Sequence, residues 1–195
     1  MPIDTKIQFE NDTRNHTIRI MLDSGLYRHA TFRGRCRTYW FDLITWPGCL
    51  TIWGDMGTWT FARVEDMFTF FRGKSINPSY WAEKLQLGQH GGSEAAKVFD
   101  DDTFRAHILA QLKDHDDDAA MVADMTSQLE MEMGRLSGPD LQQAAYEFEY
   151  GNFRFDPCDM PSGMVYSSHF LWCLHAIVWG IQQWDQAAKA KARTG

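Results

Sequence analysis

The sequence predicts an α+β protein, with an antiparallel sheet of about four strands and packed helices, followed by a mainly helical C-terminal half. Short aromatic and β-branched runs, separated by glycine-containing turns, fill residues 28–62. From residue 64 onward, apolar residues instead recur at helical spacing. The chain has 195 residues, 44% of them hydrophobic, and this length is enough to bury a core without disulfide bonds.

The first elements are a short helix and a series of strands. The helix is predicted over residues 12–23, with Asp12 as its cap. Each break between strands has a physical cause, because proline presets φ and glycine tolerates positive φ. The predicted strands are residues 28–33, 38–46, 49–53 and 58–62, broken at Gly34, at Pro47-Gly48 and at Gly54-Asp55-Met56-Gly57.

The Pro47-Gly48 turn sets the predicted register. If it closes a two-residue hairpin, Trp46 pairs with Cys49 and Asp42 pairs with Trp53. One face of the sheet is then apolar, with Phe41, Leu43, Leu50, Ile52, Trp59 and Phe61. The other face mixes aromatic and polar groups, with Trp40, Asp42, Ile44, Trp46, Thr51, Trp53, Thr58 and Thr60.

Two interpretations of the mixed face remain open. The C-terminal helices could cover it, in which case each indole N–H needs a buried partner. Alternatively, part of the face stays open as a recognition surface, because exposed aromatic patches with polar rims mark binding sites. In both cases Trp59 is predicted to lie in the core, and Trp40, Trp46 and Trp53 are the candidate anchors.

Helices are predicted through the rest of the chain. Asn77-Pro78 is typical of a helix start, and Ser137-Gly-Pro-Asp140 resembles a capping box. A long last helix is predicted from Ser167 to Lys189. The glycine-rich residues 88–93 are the predicted boundary. They separate an α+β sheet region, residues 1–90, from an acidic helical region, residues 91–195, and we expect both to pack as one globular unit. The apolar positions with helical spacing are Val64, Met67, Phe68, Phe71, Phe104, Ile108, Leu112, Met121, Met125, Leu129 and Met133.

The net charge of −7 argues against a general nucleic-acid binder, so we expect no direct contact with nucleic acid. Residues 100–159 hold fifteen Asp/Glu against four Lys/Arg. These carboxylates could imitate a phosphate backbone or steer a basic partner, and Asp116, Asp117 and Asp118 are the candidate contacts. The alternative is that individual aspartates cap helix starts.

A cluster of arginines beside the mixed face suggests a phosphate-bearing ligand. Arg28, Arg33, Arg35 and Arg37 lie in one strand and the turn after it. Guanidinium groups pair with phosphates and stack on indoles, so a nucleotide would suit them. The equally open alternative is an edge strand whose charges prevent aggregation.

Motifs for catalysis and metal binding are weak. The four cysteines are far apart, which excludes a zinc ribbon and favours thiols in a reducing cytoplasm. His169 and Cys173 share a helical face, but no third ligand follows at a suitable spacing. The apolar stretch from Met164 to Trp184 is too polar for a simple membrane span. We therefore expect no catalytic residue, metal, cofactor or membrane contact.

Several motifs resemble a family of uncharacterised proteins carried by tailed bacteriophages and prophages. These are YWFDLITWPG at residues 39–48, GDMG at 54–57, FARVEDMF at 61–68 and INPSYW at 76–81. The resemblance covers about residues 27–87. It implies a phage-encoded protein that acts in the cytoplasm of the bacterial host. By analogy, small phage proteins of this kind inhibit or redirect host machinery, including CRISPR and other defence systems.

Three functional hypotheses follow. The first is a non-enzymatic, anti-CRISPR-like protein that binds a host defence complex. A homodimer is compatible with this hypothesis. Its candidate contacts are Trp40, Asp42, Trp46, Trp53, Asp116, Asp117 and Asp118. The alternative is a protein that sequesters a nucleotide or other phosphate-bearing ligand through Arg28, Arg33, Arg35 and Arg37. The second alternative is a small metal-dependent enzyme.

Overall fold

The structure, a computed structural model, describes residues 4–73, 75–86, 92–113 and 118–193. It confirms the α+β class. The chain divides into two compact units: a sheet unit, Met1–Ala96 with Tyr166–Gly195, and a helical unit, Lys97–Val165. This division differs from the predicted regions 1–90 and 91–195, because the last helix belongs with the sheet. Of the predicted boundary loop, residues 88–91 lie outside the described residues.

The described residues form seven α-helices, nine β-strands and one 3₁₀ turn. In the sheet unit, the elements before residue 97 are α1 (Thr5–Thr13), β1 (Thr17–Ser24), β2 (Tyr27–Arg33), β3 (Phe41–Trp46), β4 (Cys49–Gly54), β5 (Gly57–Ala62), α2 (Met67–Phe71), α3 (Pro78–Ala82) and a 3₁₀ turn (Ser93–Ala96). The following elements are β6 (Lys97–Phe99), α4 (Asp101–Lys113), α5 (Ala119–Met133), α6 (Gly138–Glu147), β7 (Glu149–Tyr150), β8 (Phe153–Arg154), β9 (Met164–Tyr166) and α7 (Ser168–Ala192).

The main sheet is an antiparallel meander of five strands in the order β1-β2-β3-β4-β5. The register predicted from the Pro47-Gly48 turn is confirmed: Trp46 pairs with Cys49, and Asp42 pairs with Trp53. The next hairpin also has its predicted register, since Ile52 pairs with Trp59. Gly48 has a φ of +85°, a backbone conformation that glycine adopts without steric cost.

The helix predicted over residues 12–23 is wrong, and this segment supplies the fifth strand. The helix α1 begins earlier, where the Asp4 carboxylate accepts a 2.9 Å hydrogen bond from the backbone N–H of Lys6. The following segment, β1, pairs with β2 across a turn at Gly25. Asp12 therefore caps no helix; its carboxylate accepts a 3.0 Å hydrogen bond from the indole N–H of Trp172.

The core of the sheet unit lies between the apolar face and α7. Phe32, Leu43 and Ile52 of the sheet and Ile177 of α7 belong to one buried cluster. The helix approaches the sheet at Gly180, where a Cβ atom would lie 2.6 Å from Leu43 Cδ1. Burial of each large apolar side chain stabilises the folded state by about 1.5–3 kcal/mol. Because α7 buries its apolar face against the sheet, it belongs to the sheet unit.

The two faces of the sheet have the predicted characters. Five of the six residues predicted on the apolar face are buried; Trp59, predicted to lie in the core, is only partly buried and packs edge-on against Phe170 with ring centroids 5.0 Å apart. On the mixed face, Trp46 is 39% exposed and Trp53 is 48% exposed. The helices of the sheet unit therefore leave these two indoles accessible, which favours the open interpretation for both of them.

The helical unit has a separate core formed by α4, α5 and α6. Phe104, Ile108, Leu129 and Leu141 are among its buried residues. The predicted helices at these positions are confirmed, but the capping box at Ser137 is not, because its side chain makes no cap hydrogen bond. In the described part of the chain, no helix combines the length and apolar character needed to cross a membrane.

Candidate functional site

An open cavity of about 510 Å³ lies at one end of the mixed face, beside the connection from β2 to β3. It combines basic and aromatic walls. The connection contributes exposed arginines, whereas Trp53 projects from β4. The lining residues are Arg33, Gly34, Arg35, Cys36, Arg37, Trp40 and Trp53.

Arg33 lines this cavity and is held by several neighbouring groups. Its Nη1 donates hydrogen bonds to the carbonyl oxygens of Phe41, at 2.8 Å, and Phe32, at 3.1 Å. Its guanidinium carbon lies 4.3 Å from the centre of the Trp40 ring, a cation–π contact. These contacts hold the guanidinium group in place beside the Trp40 ring.

Asp42 neutralises Arg33 from within the face. Arg33 Nη2 lies 2.6 Å from Asp42 Oδ1, an ion-pair contact whose angle falls outside hydrogen-bond geometry. The other carboxylate oxygen accepts a 3.0 Å hydrogen bond from His29 Nε2. A buried carboxylate needs such partners, and Asp42 is only 4% exposed. Asp42 is therefore occupied inside the sheet and does not present its carboxylate to a partner.

Arg35 and Arg37 differ from Arg33 in being available to a ligand. Both are exposed, on either side of Cys36. Neither makes an ion pair with any residue that the structure describes. Two unneutralised guanidinium groups at the mouth of a cavity attract anions, and phosphate suits their planar geometry best.

Arg28 does not belong to this cluster, which corrects the predicted set of four arginines. Its guanidinium donates to both carboxylate oxygens of Asp66, at 2.7 and 3.1 Å, and lies 4.7 Å from the centre of the Phe68 ring. Successive side chains of a strand point to opposite faces, so Arg28 and Arg33 are on opposite sides of β2. The hydrogen bonds from Arg28 also lower the pKa of Asp66.

His16 contacts the connection from β2 to β3, a role that its place in the sequence did not predict. Its Nε2–H donates a 3.0 Å hydrogen bond to the carbonyl oxygen of Tyr39, whose φ is +60°. A Cβ atom on Gly34 would lie 3.2 Å from the His16 ring. Burial lowers the pKa of His16, so the ring is neutral at pH 7. No spacing in the sequence indicates this long-range contact.

The aromatic wall consists of Trp40 and Trp53. Their rings meet edge-to-face with centroids 4.9 Å apart. Trp53 keeps about half of its surface accessible. An exposed indole beside arginines can stack on a planar base while the arginines contact its phosphate.

The opposite end of the mixed face holds a second aromatic pair. Tyr27, which the sequence analysis did not select, is 54% exposed and alternates with His29 along β2. It therefore lies on the same face as Trp46 at the neighbouring end of β3. Arg19 in β1 pairs with Thr31 and is also exposed on this face. Recognition of β1 as a strand would have revealed Arg19 by alternation.

The predicted histidine–cysteine pair is not arranged as a metal site. His169 is exposed, whereas Cys173 is buried and its thiol donates a 3.5 Å hydrogen bond to the carbonyl oxygen of Met56. Burial raises the pKa of Cys173 to about 12. Within the described ranges, no three His, Cys, Asp or Glu residues form a cluster that could hold a metal ion.

Two aspartates of the acidic region, Asp100 and Asp118, act as helix caps. Asp118 accepts from the backbone N–H groups of Ala120 and Met121, at 2.9 and 3.3 Å. Asp100 caps α4 in the same way, and its hydrogen bonds with Thr103 lower its pKa. Asp116 and Asp117 lie outside the described residues.

Charge separates sharply between the units. The sheet unit has fourteen Lys/Arg and eleven Asp/Glu, a net charge of +3; the helical unit has five and fifteen, a net charge of −10. The basic cavity is therefore part of a basic unit, and the acidic surplus lies elsewhere in the chain.

Comparison of the chain with protein-family profiles, curated proteins and solved structures found no match.

Proposed function

We propose that the sheet unit is a non-enzymatic binding module that holds a nucleotide in the cavity between Arg35, Arg37 and Trp53. One observation supports this most strongly: two exposed arginines without ion pairs to described residues share a cavity with an exposed indole. A phosphate would pair with the guanidinium groups, and the base would stack on Trp53.

The fixed parts of the site favour binding without large rearrangement. Arg33 donates hydrogen bonds to two backbone carbonyl groups, forms an ion pair with Asp42 and packs on Trp40. The wall is thus ordered before a ligand arrives, which lowers the entropic cost of binding. Arg35 and Arg37 supply the unneutralised positive charge.

A panel of mononucleotides, cyclic nucleotides and dinucleotides tests this proposal. We expect at least one class to raise the melting temperature of the full chain, since a ligand that binds only the folded state stabilises it. Substitution of both Arg35 and Arg37 by Ala should weaken the affinity about tenfold or more, as expected for the loss of charge-assisted hydrogen bonds. The matched control is Arg63→Ala, because Arg63 is exposed but lies outside the cavity lining. A panel with no thermal shift and no measurable binding would contradict the proposal.

The resemblance to phage proteins gives this binding a biological role. A nucleotide-binding phage protein could sequester a messenger that a bacterial defence system uses for signalling. Sequestration needs only affinity and abundance, and requires no catalytic group. We therefore place the protein in the host cytoplasm as an anti-defence factor of this type.

The second candidate function is inhibition of a host protein complex, in the manner of an anti-CRISPR protein. It is supported by the exposure of Trp46 and Trp53, because exposed tryptophans often anchor protein interfaces. The helical unit, with a net charge of −10, would steer a basic partner. A pull-down from the bacterial host should then recover one complex, and recovery should fall with rising salt and after Trp53→Ala. Recovery that neither salt nor this substitution changes would exclude the second candidate.

A further inference from the structure

We infer that the mixed face of the sheet unit binds single-stranded nucleic acid along its whole length, from the arginine-lined cavity to Tyr27 and Trp46. The inference rests on the proposed function, because the cavity would hold one nucleotide of the strand. It adds a ligand class, an oligonucleotide, and a second contact region at the far end of the face.

The aromatic groups occur at two separate places on this face. Trp40 and Trp53 form the wall of the cavity, whereas Tyr27 and Trp46 lie near the opposite end of the strands. Trp53, on which the base would stack, pairs with Asp42, and Asp42 lies four residues before Trp46, which corresponds to about 13 Å at roughly 3.3 Å per residue of extended strand. A mononucleotide cannot reach both places, but a strand of several nucleotides can.

The charges on the face are complementary to a phosphate backbone. Arg35 and Arg37 stand at the cavity, and Arg19 stands across the sheet on β1. None of these three arginines forms an ion pair with a described residue. Among the strand residues of this face, all of them described, Asp42 is the only carboxylate, and Arg33 and His29 neutralise it. The net charge of +3 belongs to this unit.

The middle of the face offers polar contacts between the two aromatic ends. Thr51 and Thr60 share a hydrogen bond of 2.8 Å between their hydroxyl groups, and both are only partly buried. His29 and Thr31 lie on the neighbouring strand. Hydroxyl and imidazole groups can bond to sugars and to base edges, so a strand that crosses the sheet would meet polar contacts over its course.

A single strand fits this face better than a duplex. The exposed indoles need accessible base faces for stacking, and base pairing in a duplex hides these faces. Base–aromatic stacking tolerates any sequence, because every base has a π-face. The expectation of no direct nucleic-acid contact came from the charge of the whole chain, and the division of charge between the units removes its basis for the sheet unit.

Binding of the full chain to thymidine and uridine oligonucleotides of increasing length tests the inference, with fluorescence anisotropy as the readout. The series runs from the mononucleotide to about eight nucleotides, within the range of known single-strand site sizes. We expect the affinity to rise with length until the strand reaches Trp46, and then to level off. The DNA and RNA arms show which sugar the face prefers, and tight, length-dependent binding in either arm supports the inference.

Substitutions at the far end separate the inference from the proposed function. Trp46→Ala should reduce oligonucleotide affinity about tenfold, the lower part of the range for loss of one stacking contact, and leave mononucleotide affinity unchanged. Tyr27→Ala tests the same end in a different strand. Arg19→Ala should reduce the slope of log affinity against log salt by about one unit. Tyr146→Ala in the helical unit, also exposed, should change nothing and is the control.

The outcomes distinguish failure of the oligonucleotide inference from failure of the proposed nucleotide site. Equal affinity for mononucleotides and longer strands, or oligonucleotide binding unchanged in both the Trp46 and Tyr27 variants, overturns the inference and leaves the nucleotide site intact. Absence of binding to every nucleotide and oligonucleotide overturns both. Circular dichroism of each variant confirms that a loss of binding is not a loss of fold.

Discussion

At the scale of single residues, Arg33 and Asp42 illustrate how a charged pair can organise one face of a sheet. The carboxylate is buried, so it requires compensation, and the guanidinium that compensates it also bonds to two backbone carbonyl groups. This arrangement fixes Trp40 and leaves recognition to Arg35 and Arg37. Removal of the Arg33 guanidinium would leave the buried Asp42 carboxylate with His29 as its remaining side-chain partner, and a buried carboxylate that loses an ion-pair partner destabilises the fold.

The cysteines give a direct test of whether a nucleotide binds in the cavity. Cys36 lines it and is exposed, Cys158 is exposed in the helical unit, and Cys173 is buried with its pKa raised to about 12. Because the thiolate is the reactive form, we expect iodoacetamide to modify Cys36 and Cys158 in the folded protein and to spare Cys173. A bound nucleotide should slow the reaction of Cys36 alone, as measured by mass spectrometry of peptides. Equal protection of Cys36 and Cys158 would mean that the ligand does not act at the cavity.

Two half-buried histidines, His16 and His175, predict that the protein loses stability in mild acid. Burial lowers the pKa of His16 and of His175 from the ordinary value of 6.5. Below that value the unfolded chain binds protons that the folded chain does not, so the free energy of unfolding must fall as the pH falls. The loss begins as the pH drops through about 6.5 and ends below the folded pKa values. Melting temperatures measured between about pH 8 and pH 5 check this expectation.

His16→Gln separates this contribution from other titrating groups. The amide can donate to the Tyr39 carbonyl oxygen in place of the imidazole, but it does not titrate. We expect the melting temperature of this variant to depend less steeply on pH than that of the parent protein. A variant with the parent's full pH dependence would show that His16 contributes nothing to the acid sensitivity.

At the scale of elements, the β3–β4 hairpin shows what local sequence can determine. Pro47-Gly48 fixes a two-residue turn, and a period of two then assigns every side chain of the hairpin to a face. The same alternation would have separated Arg28 from Arg33, since they are an odd number of residues apart within β2. The segment over residues 12–23 was harder to assign to a helix or a strand. Its apolar residues fit both the helical and the strand period, and only pairing with β2 selects the strand.

The assignment of α7 depended on information that no local pattern contains. Its spacing predicts a helix correctly, but the partner of its apolar face is a sheet about a hundred residues earlier in the chain. The contacts of His16 with Tyr39 and of Trp172 with Asp12 are equally long-range. Tertiary contacts of this kind decide which elements form a unit, so the predicted domain boundary placed α7 on the wrong side.

The turn between β4 and β5 provides a prediction at this scale. A Cβ atom on Gly54 would lie 2.1 Å from the carbonyl oxygen of Trp40, a backbone atom that cannot move away cheaply. Gly54→Ala should therefore lower the free energy of unfolding by more than about 2 kcal/mol and disturb the Trp40–Trp53 pair. Urea unfolding with tryptophan fluorescence measures both effects.

Gly25→Ala is the matched control, in another hairpin of the same sheet. Its Cβ would meet nothing within 4 Å, so only the positive φ of +63° is penalised. The expected loss there is about 1 kcal/mol, the typical cost of a left-handed conformation for alanine. Similar losses at Gly25 and Gly54 would show that the close approach to Trp40 has no energetic effect.

At the scale of the whole molecule, the chain reads as a sheet unit interrupted by an acidic helical unit. Ala96 immediately precedes the helical unit and Ser167 is the second residue after it, and a 2.9 Å hydrogen bond joins the Ser167 N–H to the Ala96 carbonyl oxygen. Each unit has its own buried cluster. Domains inserted at closely spaced positions can usually be removed without loss of the host fold, because the ends are already adjacent.

Replacement of residues 97–165 by a short glycine–serine linker should therefore leave a folded sheet unit. The change raises the net charge from −7 to +3, since it removes a segment of net charge −10. An anionic ligand approaches a positive molecule faster, so oligonucleotide affinity should increase at low salt and approach that of the full chain at high salt. Circular dichroism, thermal unfolding and anisotropy titrations at several salt concentrations measure these effects. A cooperatively folded variant that binds oligonucleotides more weakly at low salt would mean that the helical unit contributes contacts to the ligand, and recognition would then belong to the whole chain.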